Sequence, residues 1–163
     1  PCPVERMSAV YALGRNPCPS AVQKLVSLLE TDDNAYVRRA TAWSLANYDN
    51  QIVLEPLINA LKNDVAAVRL WSSSSLAEIG NVSLKNAQLA AEQLLISLKI
   101  DNESGVRSNC IWSLCRLYEK LNDTDQESFV DECTKIALFD KEPSVMEEAK
   151  TALDSMGMQG FYN

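Results

Sequence analysis

The chain has 163 residues, of which 47% are hydrophobic and 23% are charged, so it can bury a core and is not disordered. No apolar run approaches the roughly 18 residues of a membrane span, and no signal-peptide pattern opens the chain. The formal charge is −7 and histidine is absent, which argues against nucleic-acid binding and removes the commonest general base and metal ligand.

Amphipathic segments of helical period follow one another along the chain. They predict helices at 4–15, 21–30, 37–48, 53–62, 66–79, 84–99, 106–121, 126–139 and 145–155. Two Pro-Cys-Pro triplets bound the first helix, because proline is excluded from helix interiors. Ser20 is expected to cap the second helix. Residues 158–163 are expected to form a tail that frays.

The helices are related by an internal repeat. The second helix of each pair opens with Val-Arg and reaches a leucine eight residues after the valine, as in Val37-Arg38 with Leu45. The aligned leucines are residues 13, 45, 76, 114 and 153, at intervals of 32, 31, 38 and 39. Such recurrence is typical of stacked units. The sequence therefore predicts an all-α fold, an α-solenoid (superhelix) of about four helical hairpins after one leading half repeat.

We expect one domain over residues 1–163. Its predicted units are a half repeat at 4–16 and repeats at 20–49, 52–81, 84–122 and 126–157. The chain opens on the second half of a unit and does not begin with methionine, so it is expected to be a fragment of a longer protein. The acidic excess lies in residues 119–163, which carry 11 acids and 4 lysines. We interpret it as a solvated face, with docking to a basic partner as the alternative.

The repeat resembles the HEAT repeat, and most closely the short HEAT-like repeats of the phycobilisome (phycocyanobilin) lyases. The resemblance rests on a first helix ending in Leu-Lys, an Asp-rich turn, Val-Arg, small residues and Ile-Gly, and it is clearest at 54–64 and 68–80. It covers residues 4–157, although Met146 replaces the arginine in the last repeat. The resemblance implies that the second helices line a concave face.

One arginine follows the aligned position in each of four units: Arg6, Arg38, Arg69 and Arg107. We expect each to reach acids and carbonyls of the nearby turns, which contain Asp32, Asp33, Asp64 and Asp101, and so to tie one unit to the next. The functional alternative is a ladder that binds anions.

The concave face carries the candidate binding residues. At about 100° per residue, the positions two, five, six and nine after the aligned valine point away from the core. They hold aromatic and aliphatic side chains where an untouched surface would be charged, which indicates an interaction site. The predicted partner-binding residues are Tyr11, Arg39, Trp43, Leu70, Ser74, Ile111, Trp112 and Cys115. The alternative is that neighbouring helices bury these side chains, as is expected for Trp71.

The sequence offers no catalytic residue and no metal site. Without histidine a nucleophile would have to be a cysteine, and Cys110 and Cys115 point about 140° apart on one helix, too far to chelate one ion. Cys115, beside Arg116, is the one thiol with candidate reactivity. The five cysteines are odd in number and show no CxxC spacing, which favours a reducing compartment, the cytoplasm or the plastid stroma.

Three functions remain open. The preferred one is a non-catalytic interaction scaffold or assembly factor that binds a protein partner in the concave groove and needs no cofactor. The resemblance implies a second, a subunit of a bilin lyase or isomerase that attaches a linear tetrapyrrole such as phycocyanobilin to a phycobiliprotein. It also implies a third, an assembly factor for iron–sulphur proteins or photosynthetic complexes. The expected partner is then a phycobiliprotein or another HEAT-repeat subunit.

Overall fold

The computed structural model describes residues 1–49 and 51–162, and within these ranges all regular structure is helical. The α-helices are α1 (Pro3–Arg15), α2 (Val22–Thr31), α3 (Ala35–Leu45), α4 (Leu54–Asn63), α5 (Ala66–Gly80), α6 (Leu84–Ile100), α7 (Ser104–Leu117), α8 (Asp123–Phe139) and α9 (Pro143–Ser155). Short 3-10 helices lie at Pro19–Ala21, Gln51–Val53, Tyr118–Lys120 and Gln159–Tyr162.

The helices form two layers. The inner layer consists of α1, α3, α5, α7 and α9 packed side by side, and the outer layer consists of α2, α4, α6 and α8. Each outer helix also packs on the inner helix that follows it in the chain. Neighbouring inner helices contact each other more extensively than neighbouring outer helices do. The predicted all-α solenoid is confirmed.

The aligned apolar residues form the centre of the core, which runs continuously from α1 to α9. Val37, Leu45, Leu76, Leu114 and Leu153 are all 0% exposed. Burial of each such side chain stabilises the fold by about 1.5–3 kcal/mol. The recurring Val and Leu positions therefore supply the apolar surface that holds each pair of helices to the next.

The start of α2 differs from the prediction. Ser20 does not cap this helix, because Pro19 opens a 3-10 turn one residue earlier and places Ser20 inside Pro19–Ala21. The Ser20 hydroxyl instead lies 3.1 Å from the Cys18 thiol. In contrast, Asn34 caps α3 by accepting hydrogen bonds from two backbone N–H groups of its first turn.

The segment after α9 folds back and packs on the last two helices, where the sequence predicted a fraying tail. Gly157 adopts a φ of 77°, which turns the chain back after the helix. The following 3-10 helix, Gln159–Tyr162, packs on α8 and α9. The Tyr162 hydroxyl donates a hydrogen bond to the Asp154 carboxylate. Asn163, the last residue of the predicted tail, lies outside the described residues.

Each aligned arginine joins two successive turns, in a contact that we call an arginine fork. Its Nε and one terminal nitrogen donate to both carboxylate oxygens of an aspartate in the next turn, while the other terminal nitrogen donates to a carbonyl of its own turn. The carboxylate pairs, at 2.7–3.0 Å, are Arg6 with Asp32, Arg38 with Asp64, Arg69 with Asp101 and Arg107 with Asp140. The carbonyls, at 2.8–2.9 Å, belong to Pro1, Asp32, Asp64 and Asp101.

The forks confirm that the arginines tie one unit to the next. The guanidinium N–H groups of these arginines already donate to carboxylates and carbonyls of the chain itself. The alternative, a ladder that binds external anions, is therefore not supported. Asp140 was not among the predicted partners, because the prediction placed each partner in the turn beside its arginine, whereas the structure places it in the next turn. Met146 occupies the equivalent position in α9 and cannot form a fork, since its side chain has no donor.

The forks lower the pKa of two aspartates. Asp32 has a pKa below its ordinary value, chiefly because Arg6 donates to its carboxylate. Burial acts to raise the pKa of Asp140, but the hydrogen bond from Arg107 and a backbone N–H outweigh it, so this pKa is also lowered. Both carboxylates are therefore more stable as anions in the folded chain than in the unfolded one.

We predict that Arg107→Ala lowers the free energy of unfolding by about 3 kcal/mol, because it leaves the Asp140 carboxylate buried without its partner. The two side chains of this fork are each only 7% exposed. Urea unfolding followed by circular dichroism measures the change. Arg15→Ala, at an exposed position in the last turn of α1, serves as the control. Equal effects of the two substitutions would contradict a structural role for the fork.

We also predict loss of stability in acid. The folded pKa of Asp32 lies below its unfolded value of about 3.9, so the unfolded chain binds more protons and the contribution is complete only above that value. The free energy of unfolding should fall as the pH drops through the folded pKa. Asp32→Asn should be less stable at neutral pH and show a shallower acid dependence. Parallel pH profiles for the two proteins would show that this pair does not contribute.

Candidate functional site

The exposed line along the inner layer shares position six after the aligned valine with the prediction, but position five is buried. The side chains that reach the surface lie one before the aligned valine and about three, six and ten after it, a spacing of about one helical turn. Ala40, three after Val37, is an exception, since it is 0% exposed. Five aromatic residues lie near this line: Tyr11, Tyr36, Trp43, Trp71 and Trp112. Together with Arg39 and Arg116 we call them the aromatic strip.

Tyr11 and Trp43 are half-buried and contact each other across α1 and α3. Their ring centroids are 5.4 Å apart and the rings are tilted by 58°, a favourable arrangement for an aromatic pair. Gly14 permits the contact, since a Cβ at that position would lie 2.4 Å from Cζ3 of Trp43. Both rings lie on the inner layer, as the sequence predicted, but neither is fully exposed, and Tyr11 also packs against the core.

Trp112 is 41% exposed and carries an arginine on its ring. The Arg116 guanidinium lies 5.1 Å from the Trp112 ring centroid, and its NH2 group donates to Glu78 of α5 at 2.9 Å. The ion pair therefore links α7 to α5 while one side of the indole faces solvent. Sequence reasoning noted Arg116 only as a neighbour of Cys115, although its spacing of four residues from Trp112 indicates the contact.

Arg39 is an arginine of the inner layer with a buried nitrogen that has no hydrogen-bond partner among the described residues. Its guanidinium carbon lies 5.3 Å from the ring centroid of Tyr36, which is 62% exposed. The buried nitrogen is its Nε. Unlike the fork arginines and Arg116, it has no carboxylate partner in the described part of the chain. An uncompensated cation among aromatic rings is suited to a carboxylate from outside.

Two expectations about exposure are wrong. Ile111, predicted in the groove, is 0% exposed, and Trp71, predicted to be packed, is 38% exposed. Position five after the valine, which includes Ile111, faces a neighbouring inner helix. The helices are drawn together there, because the hydroxyls of Ser75 and Ser113 donate at 2.7 Å to the carbonyls of Ala42 and Ser73.

Leu70 and Ser74 belong to α5, face α7 and are partly buried. The Asn109 side chain donates to the Leu70 carbonyl at 3.0 Å and to the Ser74 hydroxyl at 2.7 Å. The Leu70 side chain also fills the space over Gly105, where a Cβ would lie 3.2 Å from Cδ1. The contacts of these two predicted site residues therefore lie mainly between α5 and α7, and they present little to a partner.

Cys115 is half-buried beside the strip, and its environment disfavours nucleophilic chemistry. Burial raises the pKa of its thiol to about 11, and the nearby Glu148 carboxylate adds to the effect. The reactive species is the thiolate, so the thiol is largely unreactive near neutral pH. Burial also raises the pKa of Cys110 and Cys133.

The described residues contain no cluster of three acidic or cysteine side chains placed to hold a metal ion. Likewise, none of the described helices combines the length and apolar character needed to cross a bilayer. The inner layer provides a row of partly exposed rings beside Arg39, which has no carboxylate partner in the described part of the chain, an arrangement suited to binding.

Comparison with solved structures finds similar folds, and two of them illustrate the likeness. The chain is similar to the complex of CpcE and CpcF of phycocyanin lyase from Nostoc sp. PCC7120, with 21% identity, a TM-score of 0.64, and coverage of 91% of this chain and 98% of that chain. It is also similar to a designed armadillo repeat protein in complex with the peptide (KR)4, with 18% identity, a TM-score of 0.61, and coverage of 95% and 81%. Likeness at these identities shows the fold alone.

The sequence itself matches a family. The profile of HEAT repeats matches residues 1–77 and again residues 22–115, so the two matches together extend over more than half of the chain. The repeat spacing, the two layers of helices and the arginine forks agree with this match. The chain belongs to the HEAT-repeat family.

Proposed function

We propose that the chain is a non-catalytic scaffold that holds a protein segment against the aromatic strip. The observation that carries the proposal is the exposure of the rings in line on one layer: Trp71 is 38%, Trp112 41% and Tyr36 62% exposed. Large aromatic side chains left in contact with water favour burial against a partner, and tryptophan and tyrosine dominate binding energies at interfaces.

The charge of the strip suggests what the bound segment presents. Arg39 has no carboxylate partner among the described residues, whereas Arg116 is already paired with Glu78. A segment with an acidic residue near an apolar one would pair with Arg39 and cover Trp71 or Trp112. The CpcE–CpcF complex and the armadillo–peptide complex are protein and peptide assemblies on similar folds, which supports a protein partner, such as a phycobiliprotein or another HEAT-repeat subunit.

The second candidate is a subunit of a bilin lyase or isomerase. The similarity to the CpcE–CpcF complex favours it, since this chain covers 98% of the matched chain. In that case the strip would hold a linear tetrapyrrole, with its planar ring system on the indoles and a propionate on Arg39. The raised pKa of Cys115 gives no support for this thiol as the acceptor, so the acceptor cysteine would belong to the phycobiliprotein.

We predict that Trp112→Ala weakens the complex by about 2 kcal/mol or more, because it removes a partly exposed indole of the strip. The partner is purified from the native host on the tagged chain, and its affinity is then measured by calorimetry. The matched control is Phe161→Ala, which removes a ring that is 52% exposed but lies outside the strip, in the 3-10 helix Gln159–Tyr162. The same affinity for Trp112→Ala and wild type would remove the strip from the interface.

The bilin alternative has its own test. If the strip holds phycocyanobilin, adding the pigment to the purified chain should give a red-shifted, narrower absorption band, because binding to the strip limits the conformations of the pigment. Arg39→Ala should reduce that change, since the propionate loses its charged partner, while Arg15→Ala should not. An unchanged spectrum with the wild-type chain would exclude bilin binding by this chain on its own.

A further inference from the structure

Among the large apolar side chains of the described residues, the two with the highest exposed fraction lie on the outer layer, away from the aromatic strip. Phe139 is 82% exposed and Ile100 is 72% exposed. They end α8 and α6 respectively, and both line one cleft of about 390 Å³ between the ends of these helices. Ile96, one turn before Ile100, is 49% exposed and lines the adjoining cleft together with Ile100.

The repeat itself provides a comparison for these two residues. The last residue of the outer helix, immediately before the fork aspartate, is Thr31 in α2, Asn63 in α4, Ile100 in α6 and Phe139 in α8. All four are exposed. The first two show that the fold accepts polar residues at this position. Isoleucine and phenylalanine are therefore not required by packing, and their exposure calls for another explanation.

The rim of the cleft is basic, against the trend of this part of the chain. Lys99, Lys135 and Lys141 line it, although residues 119–163 as a whole have a net charge of −7, from 11 acids and 4 lysines. Two of the acids in the cleft, Asp101 and Asp140, are bound by arginine forks. A third, Glu132, lies 3.5 Å from Lys135.

We propose that this cleft is a second docking site, for an acidic protein segment that inserts a bulky apolar side chain between Ile100 and Phe139. The volume suits one such side chain, and the lysines suit flanking carboxylates. A bilayer of anionic lipid fits less well, because it would extend beyond the lysines over the acidic surface of the surrounding repeat. A second copy also fits poorly, since two lysine-rimmed clefts would repel each other across a two-fold axis.

The test uses a phage-displayed library of random peptides as the probe. The library is panned on the full chain and on the variant Ile100→Asn/Phe139→Thr, which installs the residue types found at this position in α4 and α2. Peptides retained only by the wild type should contain a bulky apolar residue beside Asp or Glu. Their affinity, measured by fluorescence polarisation, should fall by about tenfold or more in the double variant.

Four further measurements make the result specific. Thermal melting of the double variant should match that of the wild type, because both side chains are exposed. Val65→Thr, which changes an apolar residue that is 48% exposed elsewhere, should leave peptide binding unchanged, and so should Trp112→Ala in the aromatic strip. Lys99→Glu/Lys141→Glu should reject the acidic peptides, because it reverses the charge of the rim.

Several outcomes would overturn the proposal. They are the absence of any peptide that distinguishes wild type from the double variant, enrichment of basic peptides, and loss of binding in Trp112→Ala rather than in the cleft variants. Phe139-dependent binding to phosphatidylserine vesicles without peptide selection would assign the cleft to membranes. Phe139-dependent dimerisation in sedimentation experiments would assign it to a second copy. Because the cleft variants leave the aromatic strip intact, none of these results depends on the function proposed for the strip.

Discussion

The rest of the structure depends on the bidentate contact between each fork arginine and the aspartate in the next interhelical turn. The guanidinium is planar, so donation to two carboxylate oxygens and to a carbonyl fixes the distance and orientation of two successive turns together. With four such forks, the helix pairs cannot slide or rotate independently. Removal of one partner leaves a largely buried charge, which is more costly than removal of an exposed ion pair.

Both candidate surfaces follow from this arrangement. On the inner layer, serine hydroxyls such as those of Ser75 and Ser113 bind carbonyls of the neighbouring helix, so adjacent helices approach closely and only the side chains facing away from both remain exposed. These are the rings of the aromatic strip. On the outer layer, the residue before each fork aspartate is kept at the surface, since the aspartate itself turns inward to its arginine. The cleft between Ile100 and Phe139 lies at that edge.

The candidate site was only partly predictable. Helical periodicity identified Tyr11, Trp43 and Trp112 as inner-layer residues, but the predicted arc was rotated toward the neighbouring helices, which misplaced Ile111 and Trp71. The periodicity of one helix fixes which residues share a face. How much of that face two neighbours cover depends on how closely the helices pack, and the serine contacts that set this distance connect residues more than 30 positions apart.

The sequence by itself determined the helices, the stacking of the pairs and the role of the arginines, because each of these follows from a local pattern that recurs along the chain. It also identified the family through the same pattern. Only the tertiary structure decided that each fork reaches the following interhelical turn, the last of them at Asp140. It also decided that Arg39 has no carboxylate partner among the described residues, and that Ile100 and Phe139 meet at one cleft. These features depend on the distances between side chains of different repeats, which the packing of the whole stack fixes.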